Sequence, residues 1–195
     1  MITTPSIFLE IRVTSSQIEQ AKDIRKKRDA LYGNHFLEKG TDLRWIGDLA
    51  EIVFDEYLDK EGYDYHWHND LKASNKPDFT INGITMDLKC LKRAMPMTEK
   101  HLHYTFGVTA NQLKMNVDVY GFVNFVESQG LMQFIGCITK TRFLKESSDV
   151  KSGQQVHHAY QIRKNHQLLN IEASKLTSFS ESLAKISVFE HQKAS

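Results

Sequence analysis

Apolar residues recur along this chain with two periods, and the period assigns the elements. Ile46, Leu49, Ala50, Val53, Phe54, Tyr57 and Leu58 fall at i, i+3, i+4 and i+7, the spacing that lines one side of a helix. Thr41 or Asp42 is placed to cap this helix, which should run to about Lys60 before Gly62. Ser16-Gln17-Ile18-Glu19 has the form of a capping box and opens an earlier helix over 16–31. Ser178-Phe179-Ser180-Glu181 opens a final amphipathic helix over 178–188, with Leu183 and Ile186 inward. Residues 7–13 alternate weakly, as a short edge strand does, and 63–68 read as another strand. Residues 117–126 are nearly continuously apolar, as in a central strand covered on both faces. Residues 131–139 should pair with them across Glu127-Ser128-Gln129-Gly130. Thr109-Ala110-Asn111-Gln112 suggests a second capping box and a short helix ending near Asn116. A helical turn over 141–146, a polar loop over 147–155 and short strands over 160–162 and 168–171 complete the pattern.

The most informative stretch is 77–89. Asn82-Gly83 between two alternating runs predicts a hairpin with a type I′ turn, which needs positive φ at both central residues. Ile81 then faces Ile84, Thr80 faces Thr85, Phe79 faces Met86, and Asp78 faces Asp87. One parity carries Phe79, Ile81, Ile84, Met86 and Leu88; the other carries Asp78, Thr80, Thr85, Asp87 and Lys89. Burying the first set leaves the second facing a cleft that should also receive Glu51. Like charges directly opposite each other destabilise a strand pair, and a divalent cation between Asp78 and Asp87 would remove that repulsion.

Pro77-Asp78 followed by Asp87-Leu88-Lys89 resembles the PD-(D/E)xK signature of restriction-endonuclease-like nucleases, over roughly residues 42–126. The resemblance implies an α/β fold with a central mixed β-sheet flanked by helices. It implies one nuclease-like domain over 1–195, its core at about 42–139 and the first and last helices as additions. It also implies Mg²⁺ or Mn²⁺ held by Asp78, Asp87, the Leu88 carbonyl and Glu51, with Lys89 as the catalytic ammonium. Glu51, in Gly47-Asp48-Leu49-Ala50-Glu51, matches the acidic helix position of the family best, with Asp48 as the fallback. Gln112 matches a polar residue that many members carry after the hairpin, although at the third position of its helix it also reads as a plain cap. The expected partner is DNA, and a homodimer fits the many members that pair to cut two strands.

Composition narrows this little. The chain of 195 residues is 41% hydrophobic and 25% charged, with a net charge of +1, so any attraction to nucleic acid must be local. The candidates are Arg25 and Lys26 on the first helix, Lys72 and Lys76 before the hairpin, and Lys92 and Arg93 after it. A solvated helix face explains Arg25 and Lys26 equally well. Cys90 and Cys137 form neither a metal-finger spacing nor a disulfide framework. With no secretory signal and no membrane-length apolar run, the chain reads as cytoplasmic and reduced. His66 and His68 share a strand face, but no third zinc ligand follows at useful spacing. Residues 93–103 read as an irregular flap that carries His101 and His103, either of them within reach of a phosphate in the expected site. Three rivals remain: a nuclease-like protein that binds without cutting, a scaffold whose hairpin is merely salt-bridged, and a histidine-based zinc enzyme.

Overall fold

The computed structural model describes residues 7–32, 43–71, 76–150, 155–157, 160–161 and 167–193. The chain runs β1 (Leu9–Arg12), α1 (Ser15–Tyr32), α2 (Trp45–Lys60), β2 (Tyr65–Trp67), β3 (Phe79–Ile81), β4 (Ile84–Lys92) and β5 (Thr105–Thr109). It continues through β6 (Val119–Val126), β7 (Leu131–Thr139), α3 (Lys140–Glu146), β8 (Ser148–Val150), β9 (Gln155–His157), β10 (Tyr160–Gln161), β11 (Leu168–Glu172) and α4 (Phe179–Lys193). A six-stranded sheet in the order β1-β7-β6-β4-β3-β2 forms the centre. It is mixed: β4 and β6 run parallel, and its other neighbours are antiparallel. The chain is therefore α/β with a central mixed sheet flanked by helices, the coarse architecture expected from the resemblance.

Each face of the sheet carries its own core. On the first, Leu49, Val53 and Phe54 of α2 meet Phe79, Ile81, Met86 and Leu88 of the hairpin, joined by Phe179, Leu183 and Ile186 of α4. On the second, Tyr120 and Phe122 of β6 pack with Phe106 and Val108 of β5 and Phe143 of α3. There β5, β11 and β8 form a separate three-stranded sheet. Every residue of β6 is buried, which explains its continuous apolar run: a strand covered on both faces has no solvent side to keep polar.

The hairpin turn is as expected. Asn82 and Gly83 have φ of 46° and 76°, and Ile81 pairs with Ile84, Thr80 with Thr85 and Phe79 with Met86. β1 is an edge strand against β7. Several boundaries differ from expectation. The box that opens α1 is Thr14 with Gln17: Gln17 N–H donates to Thr14 Oγ1 at 3.2 Å, and Thr14 N–H to Gln17 Oε1 at 2.7 Å. α2 begins at Trp45, and Thr41 and Asp42 lie outside the described residues. Gln112–Lys114 form only a single 3-10 turn. Part of the expected polar loop is β8, recruited as an edge partner of β11. α4 is capped at Ser178 and extends to Lys193.

One polar row crosses the second face. Asn124 of β6 stands opposite Gln133 of β7, and Gln133 opposite Glu10 of β1. Gln133 accepts from Met97 N–H at 2.7 Å, and its Nε2 donates to Met97 O at 3.1 Å and Glu10 Oε1 at 2.8 Å. The segment after β4 is thereby pinned to the sheet at Met97, which is buried.

Candidate functional site

The site lies where β3 begins. His68 N–H donates to Asp78 O at 2.8 Å, and Asp78 N–H donates to Met86 O at 3.0 Å, so the Asp78 backbone is held between β2 and β4. The Asp78 side chain does not stand opposite Asp87 as a cross-strand pair. It turns into the plane of the sheet, where Oδ2 accepts from Leu88 N–H at 2.7 Å. The carboxylate takes the place of the next ladder carbonyl, and the hairpin ladder ends there. Asp87, one residue before Leu88, is 3% exposed and forms an ion pair with Lys89. Asp87 Oδ2 meets the Lys89 ammonium by charge but has no aligned hydrogen bond with any group.

Glu51 reaches the same place from α2. That helix covers the apolar face of the hairpin, so Glu51 arrives from the packed side and not across a cleft on the polar side. Its carboxylate is held at both oxygens. Arg28 Nη1 donates to Oε1 and Arg28 Nη2 to Oε2, each at 3.3 Å. Trp67 Nε1–H donates to Oε2 at 3.1 Å. Trp67 is itself stacked on Phe79, with ring centroids 6.2 Å apart. Arg28 also contacts Asp48, and Arg25 Nε donates to the other oxygen of Asp48 at 2.7 Å.

These groups feel one another strongly. Burial, then the negative charges of Glu51 and Asp87, holds the Asp78 carboxyl well above the usual carboxylate range, against the pull of Lys89 and the Leu88 N–H. Burial also raises Glu51 and Asp48, despite Arg28 beside both of them and Arg25 beside Asp48. The structure thus places Asp87 beside Lys89, ties the Asp78 side chain to Leu88 N–H, and brings Glu51 towards Asp78 from the α2 side, near enough for its charge to act on the Asp78 carboxyl. Arg28 and Trp67 were not among the expected site residues. Arg28 had a signal, since Ile18, Ala21, Arg25 and Arg28 follow one helix face that Ile18 and Ala21 make apolar. Trp67 had none, because only the tertiary fold brings β2 beside α2.

The other expected positions vary. Gln112 Oε1 accepts from Thr109 N–H at 3.1 Å and Thr109 Oγ1 at 3.0 Å, so it is occupied as a cap. Arg25 points inward to Asp48, which corrects its expected place on an outer phosphate-facing surface; Lys26 is exposed. Lys76 is exposed, and Lys72 lies outside the described residues. Lys92 pairs with Glu127. The Arg93 guanidinium lies over the rings of Tyr104 and Phe106, at 5.2 and 5.7 Å. His68 Nε2 is 2.8 Å from Thr80 Oγ1, with the His66 ring edge-on to it.

Among the described residues no three His, Cys, Asp or Glu side chains are spaced as a ready-made metal cluster. The smaller donor set to test against a cation is the hard oxygens of Asp78, whose Oδ2 accepts from Leu88 N–H, and of Asp87, whose Oδ2 is paired with Lys89. Mg²⁺ commonly takes only one or two carboxylates from a protein and keeps several waters, so two such oxygens suit it. Among the described residues no helix is long and apolar enough to cross a membrane. Comparison with models of protein families, with curated proteins and with solved structures found no match to this chain.

Proposed function

We propose that the protein is a metal-dependent nuclease of the PD-(D/E)xK type, with a restriction-endonuclease-like fold, that hydrolyses phosphodiester bonds of DNA. What supports this reading is the Asp87–Lys89 ion pair beside the Asp78 carboxylate, which ends the β3–β4 ladder on Leu88 N–H. Asp78, Asp87 and the Leu88 carbonyl would hold Mg²⁺ or Mn²⁺. Once bound, the ion supplies Lewis-acid polarisation of the phosphate and a more acidic water.

The chain's own residues account for the rest. Lys89, restrained beside Asp87, is a fixed ammonium at the place where negative charge grows on the phosphate oxygens. It would also orient the attacking water by hydrogen bonding. As the water oxygen bonds to phosphorus and loses a proton to solvent, the bond to the leaving sugar oxygen breaks, and that oxygen takes up a proton from solvent. Glu51, fixed by Arg28 and Trp67, would hold a water of the site without having to move. Lys26 and Lys76 are exposed cations available to phosphates of the bound strand.

A second reading has one observation in its favour. Lys89 already pairs with the buried Asp87 carboxylate, as in a purely structural salt-bridged hairpin. Incubation of the purified chain with linear, circular, single-stranded and branched DNA, with and without Mg²⁺ or Mn²⁺, separates the two. A nuclease cuts at least one of these only when the ion is present. No cutting of any of them with either ion leaves the structural reading standing.

A further inference from the structure

Arg93 differs from the other half-buried arginines among the described residues. Arg25 and Arg28 meet Asp48, and Arg44 meets Asp29. Arg93 meets no carboxylate among the described residues, although the cation before it, Lys92, pairs with Glu127. Its side chain makes one long hydrogen bond, from Nη2 to Thr105 O at 3.4 Å, and its Nε is buried without a partner. A guanidinium carries five N–H donors, so the fold leaves most of them unused. Burial pulls Arg93 below its ordinary pKa, with only Tyr104 acting against it. A half-buried cation of this kind is stabilised by an anion that the fold does not supply.

The position of Arg93 relates it to the proposed site. Asp87, Lys89 and Leu91 share one face of β4, the face whose β6 neighbours Tyr120 and Phe122 belong to the second core. Arg93 N–H donates to Phe125 O at 2.9 Å and so continues the ladder one step past β4. Its guanidinium lies over Phe106, which belongs to the same core. Lys89 and Arg93 are therefore in line on one face, about 13 Å apart along the strand. Apolar groups accompany the charge. Leu91 is 39% exposed and Met95 61% exposed, and the exposed His103 ring stands edge-on to Tyr104 with centroids 4.8 Å apart. A duplex turns phosphates outward and keeps its bases stacked, so apolar side chains and rings gain little from it. Unpaired bases expose their faces, and sites for single strands accordingly join cations to rings and apolar groups. We infer that this side of β4 binds a single-stranded segment, with a phosphate on the Arg93 guanidinium and the adjoining bases against Leu91, Met95 and the Tyr104–His103 rings. The inference takes DNA as the ligand from the nuclease reading and adds the form in which it is bound: an unpaired strand that leads along β4 to Lys89 and Asp87.

Fluorescence anisotropy of a dye-labelled DNA single strand and of its duplex, titrated with the full chain in EDTA at several salt concentrations, tests this without cleavage. The wild type should bind the single strand at least about tenfold more tightly than the duplex. Arg93→Gln, checked for folding by circular dichroism, should weaken single-strand binding about tenfold and make its salt slope shallower by about 0.7, the share of one phosphate contact. Met95→Ser, at an exposed position, should weaken single-strand binding about fivefold with the salt slope unchanged. Duplex bound as tightly as the single strand by the wild type overturns the inference. So does an unchanged salt slope in folded Arg93→Gln, or single-strand binding by Met95→Ser equal to that of the wild type. Should Arg93→Gln not fold, the wild-type preference and Met95→Ser still decide. A wild type that shows this binding but cuts no DNA with either ion defeats the nuclease reading and leaves the single-strand site standing. One that cuts duplex and does not prefer the single strand defeats the inference alone.

Discussion

Two polar groups are buried in this sheet, and they are satisfied in opposite ways. Around β4 and α2, Asp48, Glu51, Asp78 and Asp87 meet arginine, lysine, indole and backbone donors. Across β6 and β7, Asn124 and Gln133 form a neutral row. Gln133 spends its carboxamide on the Met97 backbone and Glu10, while Asn124, fully buried, has no hydrogen-bond partner at either carboxamide atom. The neutral row can be explained by the fold, since it ties the segment after β4 to the sheet. In the charged cluster, carboxyl groups buried near one another cost stability unless they are paired or protonated, which is why such groups are candidates for a functional site.

Substitutions on either side sharpen this contrast. The largest effect belongs to Lys89→Ala. Cleavage should fall by about 10²–10⁴-fold while Mn²⁺ binding persists; unaltered turnover would take Lys89 out of the chemistry. Gln133→Ala should act on the fold alone. It leaves the buried Met97 N–H and C=O unpaired, at about 2–4 kcal/mol in chemical denaturation, with metal binding as in wild type. A loss of metal binding in this variant would mean that the two groups are not separate.

Asn124→Leu should be smaller and of the opposite sign. Replacing an unpartnered buried amide by an apolar side chain of similar size should leave stability unchanged or raise it by about 1 kcal/mol. Clear destabilisation would show that the Asn124 amide has a partner, such as an ordered water.

The smallest effect is the pH dependence without metal. Asp78, Glu51 and Asp48 are raised in the folded state, so the folded chain holds protons that the unfolded chain releases. Their contribution is present at acid pH and is lost as pH rises through the folded values. In EDTA, the wild type should lose more of its melting temperature between pH 5 and pH 8 than Asp78→Asn does. The gap should be a few degrees, since each kcal/mol moves Tm by about 2–4 °C in a chain of this size. Equal slopes would mean that Asp78 is not strained.

The hairpin and its apolar parity were legible because they are local. An Asn-Gly turn and a two-residue period specify register without reference to the rest of the chain, and β6 declared its burial by having no polar side. The site was legible only in part. Asp78, Asp87 and Lys89 lie on the hairpin, but the in-plane turn of Asp78 depends on β3 starting one residue later, which the alternation does not encode. Glu51 was found from its helix position; the face it arrives from follows from how α2 packs. The first capping box was misplaced because Thr14 and Ser16 both precede a suitable partner three residues on, Gln17 or Glu19, and the side-chain geometry chooses. Arg25 looked like a surface charge because a basic run on a helix usually is one, and only α2 supplies the buried Asp48 that draws it inward.

The proposed catalytic metal site is tested by cleavage of a circular DNA with purified wild type and Asp87→Asn side by side, in Mg²⁺ and in EDTA. The wild type should cut in Mg²⁺ alone, and Asp87→Asn should not cut although it melts no lower than the wild type without metal. Equal cutting by both proteins, or a metal-free Asp87→Asn that melts well below the wild type, would contradict it.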